Sequence, residues 1–485
     1  MSYEVDDRKK RYSLSQTCGF FDHSVIRSTR LLPPEILINV FYLLCNTQTP
    51  RCSSAAQLLD KASRPFFKQP IILSHVCSYW RHIAINLPLL WSHIDLFPDQ
   101  YRDPILSARS ETFAARSAHV PLDLHIIIHP VEPVLRFYAP PEADSDSTIF
   151  PFLTAVAHRV WSLTVTSDSG RFDDDGGFCG LVLAAIFTDC TPGALTAVSI
   201  VACIELYSDY AVNAHTLDSS WTEATIDDLW LPVTILQLSG YFVKWDSKAY
   251  HGLAELRLSD CGTPNSSILT SIFQSSPQLR VLELDRFEGR IHEDSLLSPV
   301  PLDKLEVLML AAIPDGHFAS ILRLITPGSK PITLSISNPH EYSTGFISRR
   351  ELQKFVARSN ISRLCVYASW SYTQISDVLS IMPSVHVLAL NNFCLVGDEE
   401  DALITSTLPL DTIYILRSMG TFSFTWDRIE RLVKRYDVQK LIFWKHNFRY
   451  SGLGEPNQER MPGNLYTVCP VVKVIPDYEA NPIED

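Results

Sequence analysis

The chain of 485 residues carries a formal net charge of −13 and a pI near 5.6, which excludes nucleic acid as its main partner because phosphate binding needs a basic face. An anionic membrane surface is disfavoured for the same reason, and no apolar run long enough to span a bilayer occurs. A composition of 46% hydrophobic and 20% charged residues excludes a disordered polymer, and the length suits two or three domains or one elongated array.

The opening MSYEVDDRKKRYSLSQ has no apolar core after its basic run, so no secretory signal is read. Arg8-Lys9-Lys10-Arg11 reads as a solvated basic tail, within a flexible lead over residues 1–28. Leu32-Pro33-Pro34-Glu35 then places prolines in a first helical turn, where no hydrogen bond is lost, and a carboxylate near the positive helix end. The helix predicted from there carries Ile36, Leu37, Ile38, Val40, Phe41, Tyr42, Leu43 and Leu44, apolar over nearly its whole circumference. A second helix is predicted from an N-cap at Ser74 to a stop at Pro88, with Val76, Trp80, Ile83, Ala84 and Leu87 on one face. A unit of about sixty residues has too little core to bury a helix that is apolar all round. Either the neighbouring domain or a permanent partner protein must cover it.

Leu32-Pro33-Pro34-Glu35-Ile36-Leu37, Val40-Phe41 and Leu44, then Leu73-Ser74-His75-Val76-Cys77-Ser78-Tyr79-Trp80-Arg81, Ala84 and Leu90-Trp91 resemble an F-box, in the F-box-like form of large fungal families. The resemblance spans residues 29–96 and departs from the family pattern at Asn46 to Pro70, an insertion where a short second helix is usual. It implies that Leu32, Pro33, Pro34, Ile36, Leu37, Val40, Phe41, Leu44, Val76 and Trp80 dock a Skp-type adaptor, which joins a cullin scaffold.

After Ile94 a proline-containing linker leads to a helix predicted over Pro104 to Ala118. The template L-x-x-L-x-L then recurs at Leu253-Leu256-Leu258, Leu279-Leu282-Leu284, Leu305-Leu308-Leu310, Ile361-Leu364-Val366, Val385-Leu388-Leu390, Leu410-Ile413-Ile415 and Val438-Leu441-Phe443. This is the strand signature of leucine-rich repeats, and Leu256, Leu282, Leu308 and Leu334 recur every 26 residues, within the usual period. Looser matches stand at Leu122-Leu124, Val160-Leu163-Val165, Leu195-Val198-Ile200 and Val233-Leu236-Leu238. Between the later strands lie segments with helical spacing, such as SSILTSIFQSSP and WDRIERLVKRYD. The expected fold is α/β: a small helical F-box-like unit, then a leucine-rich-repeat solenoid over residues 97–469, irregular to about 230, with its parallel sheet on the concave face and helices outside. Residues 470–485 are expected to supply a terminal strand from VCPVVKVIP and a loose acidic tail.

The chemical signals are weak. His125 and His129 have the spacing of a zinc helix, yet Ile126-Ile127-Ile128 between them favours a strand, so no metal site is read. Phe172-Asp173-Asp174-Asp175-Gly176-Gly177 lacks the closing glutamate of a calcium loop, and with Gly397-Asp398-Glu399-Glu400-Asp401 reads as a solvated acidic turn. No G-x-S-x-G elbow, P-loop or dinucleotide glycine pattern occurs. The eleven cysteines, odd in number and without a CxxC pair, suit reduced thiols in cytoplasm or nucleus; Cys77, Cys261 and Cys365 read as packing residues. No catalytic group and no cofactor are expected. Strand alternation turns Glu255, Arg257, Ser259, Glu283, Asp285, Arg363, Tyr367, Asn391, Tyr414, Lys440, Ile442 and Trp444 to the inner face. Among these, Tyr367, Tyr414, Ile442 and Trp444 are expected to form an exposed surface for a target protein, unless a neighbouring segment covers them.

By its resemblance the chain is expected to be the substrate-recognition subunit of an SCF-type ubiquitin ligase, itself no enzyme, which holds an unknown target near a ubiquitin-charged enzyme. The alternative is a leucine-rich-repeat interaction scaffold without ligase partners.

Overall fold

The computed structural model describes residues 32–46, 69–98, 104–128, 149–167, 177–202, 215–217, 228–262, 264–287, 298–337, 349–396, 409–416, 426–444 and 463–475. Residues 1–31 with the basic run at Arg8, most of the insertion after Asn46, His129, the acidic stretches at Asp173 and Asp398, and the tail after Ile475 lie outside the described residues.

Three helices come first: α1 Pro34–Asn46, α2 Gln69–His75 and α3 Ser78–Ile85. Pro34 opens α1 as its residue type favours, and the Ile36 and Leu37 amides donate to the Pro33 carbonyl at 3.1 and 3.3 Å. The single helix expected from Ser74 is instead two. Ser74 lies in the last turn of α2, where its hydroxyl donates to the Ile71 carbonyl at 2.7 Å. Cys77 adopts extended backbone, which interrupts the helical ladder, and its Sγ accepts from the Trp80 amide at 3.5 Å to cap α3. A 3-10 turn over Pro88–Trp91 then runs directly into the first strand, so the sheet begins at His93, within the span expected for the helical unit.

Fourteen strands make one sheet: β1 His93–Leu96, β2 Leu122–Ile128, β3 Val160–Ser167, β4 Ala197–Ala202, β5 Ile235–Ser239, β6 Glu255–Ser259, β7 Val281–Asp285, β8 Val307–Ala311, β9 Pro331–Ser337, β10 Asn360–Ser371, β11 Val387–Val396, β12 Thr412–Ile415, β13 Lys440–Trp444 and β14 Val471–Ile475. Each consecutive pair runs parallel, from β1 at one edge to β14 at the other. Parallel neighbours need a crossover connection, and helices including Pro104–Arg116, Ser266–Ser275, Asp315–Leu324, Arg349–Val356, Tyr372–Ser380 and Trp426–Arg435 occupy those connections. The segment VCPVVKVIP supplies β14, beside β13. Among the described residues no helix is long and apolar enough to cross a membrane.

The 26-residue spacing has a geometric counterpart. Leu256, Leu282, Leu308, Leu334, Leu364, Leu388, Ile413 and Leu441 are paired neighbour to neighbour across eight strands, all but fully buried. They share one core cluster with Leu269, Phe273, Ile321, Phe355, Leu379 and Leu432 of the crossover helices. Just beyond β6, β7 and β8, the residues Asp260, Arg286 and Ala312 each take a positive φ, 54°, 49° and 47°. The Asp260 and Arg286 amides donate to the Asp285 and Ala311 carbonyls of the following strands at 3.2 and 3.0 Å, so the same turn leaves β6 and β7, while the Ala312 amide donates to the Ser337 hydroxyl. Cys261, directly after the first of these turns, is buried with its thiol 2.9 and 3.2 Å from the Tyr241 and Leu238 carbonyls, so its one S–H has a backbone oxygen to meet.

Candidate functional site

Helix α1 resolves into two opposed stripes. Leu37 and Phe41, at 1% and 0% exposure, point with Cys45 into the core, and Phe41 packs against Trp80 with ring centroids 5.1 Å apart. Leu32, just before the helix, and Ile36, Leu43 and Leu44 remain 39, 48, 66 and 45% exposed; Ile36 and Leu43, seven residues apart, lie on the side away from that core, and Leu44 lies at its margin. Pro33 and Pro34 are exposed beside them, and Val40 is half-buried at the margin. Ile72, Val76, Ile85 and Leu89 add further exposed apolar side chains from α2, α3 and their flanks, Val76 at 53%.

Of the residues expected to meet an adaptor, Leu32, Pro33, Pro34, Ile36, Leu44 and Val76 are therefore open, and Val40 and Trp80 are half-buried. Leu37 and Phe41 are corrections to that set: the periodicity that turns Ile36 outward turns them inward, where they hold the unit together. Leu43, Ile72, Ile85 and Leu89 are exposed as well and lie outside the expected set. The helical unit is tied to the sheet at Trp91, whose indole donates to the Ala84 carbonyl at 2.8 Å, meets Phe113 edge-on at 5.0 Å and lies under Arg116 at 4.4 Å.

The sheet face opposite the helices changes character along its length. At the β1 end, His93 and Asp95 stand beside Asp123 and His125. The His93 ring lies 2.8 Å from Asp123 through Nδ1 and 3.1 Å from Asp95 through Nε2. Burial alone would lower the His93 pKa, but the hydrogen bonds and charges of these two aspartates raise it to about 10. Burial likewise opposes ionisation of Asp95, and the hydrogen bonds from His125 and His93 hold its carboxyl well below the usual range. The sequence cue is H-x-D in one strand and D-x-H in the next, and neither pair is informative until the strands are aligned.

In the middle of the face, Arg257 sits 2.7 Å from Glu255 and 3.2 Å from Glu283, with Arg280 also on Glu255. Beyond them Arg286 grips Asp260 through two nitrogens at 2.7 and 2.6 Å. Toward β14 the face turns apolar: Cys365, Ala389, Leu416, Ile442, Trp444 and Ile475 form a cluster with Tyr367 and Tyr414 against it. The structure does gather the four residues expected to meet a target. Yet Ile442 and Trp444 are only 3 and 8% exposed, and Tyr367 and Tyr414 half-buried, so the open aromatic patch is corrected to a packed one. Their side chains cover one another, and Ile475 stands in register with Trp444.

Cys45, Cys179, Cys261, Cys365 and Cys469 are buried, and burial pushes the Cys45 thiol up to about 11 and that of Cys179 up to about 12. Such groups stay protonated near neutrality and are poor nucleophiles. No family model matches the chain, and no curated protein matches it.

Proposed function

We propose that the chain is the substrate-recognition subunit of an SCF-type ubiquitin ligase. Its helical unit acts as an F-box that docks a Skp-type adaptor and, through it, a cullin scaffold. The long parallel sheet with its crossover helices is a leucine-rich-repeat solenoid that presents a target protein. The observation that carries this reading is the number of exposed apolar side chains on the helical unit, Leu32, Ile36, Leu43 and Leu44 along α1 and Ile72 and Val76 on and after α2. Isolated exposed leucines are ordinary, but several exposed large apolar side chains on one small helical unit favour a surface that a partner covers. The chain would supply proximity rather than chemistry, which raises the effective concentration of a substrate lysine near the charged enzyme.

The test is reconstitution of the full chain with a purified Skp-type adaptor, followed by size-exclusion chromatography. A one-to-one complex that is lost in the Leu44→Asp, Val76→Asp double variant supports the reading. Failure of the folded wild-type chain to bind the adaptor rejects it and leaves a scaffold without ligase partners.

A further inference from the structure

Strand alternation puts His93 and Asp95, two residues apart on β1, on one face of the sheet, and does the same for Asp123 and His125 on β2. The register pairs His93 with Asp123 and Asp95 with His125. The four side chains therefore form a square, histidines on one diagonal and aspartates on the other. Three of its atoms converge: Asp95 Oδ1 lies 3.1 Å from His93 Nε2 and 3.4 Å from His125 Nδ1, and all three fall within 4.8 Å of one another. Ligand atoms held about 2.0–2.1 Å from a tetrahedral zinc ion are about 3.3 Å apart. Two edges of such a site are thus already at size. The 3.4 Å contact is a long hydrogen bond, and the same length is ordinary between two ligands of one ion.

The outer nitrogens complete the pattern. His93 Nδ1 lies 2.8 Å from Asp123 Oδ2, and His125 Nε2 lies 3.0 Å from Thr166 Oγ1 on β3. A carboxylate or hydroxyl on the far nitrogen orients a metal-bound imidazole and selects the tautomer whose other nitrogen is free to coordinate. Both histidines have that partner. The side chains of His93, Asp95 and His125 are 6–8% exposed, and the buried pair Phe97, just after β1, and Ile127 on β2 follows them. Arg109 interacts electrostatically with Asp95 and offsets part of its charge.

We propose that His93, Asp95 and His125 bind one zinc ion, with Asp123 and Thr166 orienting the two imidazoles. Three protein ligands leave a fourth coordination position for a solvent molecule. The ion would join β1 to β2 immediately after the Pro88–Trp91 turn, and so clamp the helical unit's exit to the start of the sheet.

The test uses the full chain, stripped with a chelator and re-equilibrated with zinc or cobalt. The expected results are one equivalent of bound zinc, visible-region cobalt bands of a tetrahedral nitrogen and oxygen site, and a higher melting temperature with zinc than without. Asp95→Asn and His125→Gln are expected to lose the stoichiometric ion. Thr166→Val, nearly isosteric, is expected to weaken zinc binding about 10- to 100-fold while the far-ultraviolet circular dichroism stays unchanged. A folded wild-type chain that takes up no stoichiometric zinc and shows no cobalt bands overturns the proposal, leaving a cluster held by hydrogen bonds alone. Intense near-ultraviolet cobalt–thiolate bands, or zinc binding in Thr166→Val at wild-type affinity, overturn it as well. Those outcomes remain readable even if the two ligand variants do not fold.

Discussion

Placing one substitution on each stripe of α1 separates docking from stability. Phe41→Ala removes a ring that is fully buried and packed on Trp80, so the lost transfer energy and the residual cavity are expected to cost about 3–5 kcal/mol. That is a large share of the 5–15 kcal/mol typical of folded proteins, roughly speaking. Ile36→Asp acts on a side chain of which nearly half faces water, in the first turn of α1. There a new carboxylate gains about 0.3–1 kcal/mol from the helix terminus, which offsets the lost partial packing. Its net effect on stability is expected to stay within about 1 kcal/mol. Against the adaptor the balance reverses. Burying the exposed half of an isoleucine contributes about 1 kcal/mol, and a carboxylate in its place must also be desolvated. Together these are expected to weaken binding by roughly 100-fold, or about 2.7 kcal/mol. Urea unfolding followed by tryptophan fluorescence measures the first quantity, and titration calorimetry with the adaptor the second. If Ile36→Asp unfolds the chain as readily as Phe41→Ala, the stripe is not solvent-facing; if it binds like wild type, the docking surface lies elsewhere.

Trp91→Ala is expected to destabilise by about 3–5 kcal/mol and to raise protease cleavage between the helical unit and β1, because it removes the ring that Phe113 and Arg116 both pack against; an unchanged cleavage pattern would refute this role. Gly328→Ala puts a Cβ 2.7 Å from the Asp303 carbonyl oxygen and 2.8 Å from its Cα, and is expected to cost about 1–3 kcal/mol by urea unfolding, whereas a neutral result would mean that the two loops are free to part. Asp285 has its carboxyl pKa raised to about 6 by burial, against the pull of Arg286. Such a group favours the folded state only while protonated, so its contribution is full below the unfolded value of about 3.9 and is lost as pH rises through about 6, about 3 kcal/mol in all. Asp285→Asn should flatten that part of the stability profile; a wild-type-to-variant difference that is constant from about pH 4 to 7 would contradict it. Cys179 and Cys261 are expected to resist a thiol reagent in the native chain and to react only on unfolding, as read by peptide mass mapping; rapid native labelling of either would refute their burial.

Much of the architecture was legible before any coordinates. Leucine spacing is a local property, and the same periodicity that predicts a strand also sets which strands can stand beside it, so Leu256, Leu282 and Leu308 end in one row. Helix segments such as Ser266–Ser275 and Trp426–Arg435 lie where their three- and four-residue spacing put them. The register of the early strands, by contrast, was obscured by irregular spacing, yet β2 to β5 pair as continuously as the later ones. Hydrogen bonding between neighbours tolerates long connections that blur a sequence period.

Composition and periodicity by themselves determined the later strands from Glu255 onward, the crossover helices between them and the apolar excess of α1, but not strand β1. Tertiary structure alone decided which half of that excess faces out, that Ile442 and Trp444 pack inward, and that His93, Asp95 and His125 meet. The reason is physical: alternation assigns a side chain to a face, but whether that face is covered, and which chemical groups share it, depends on contacts between segments thirty or more residues apart.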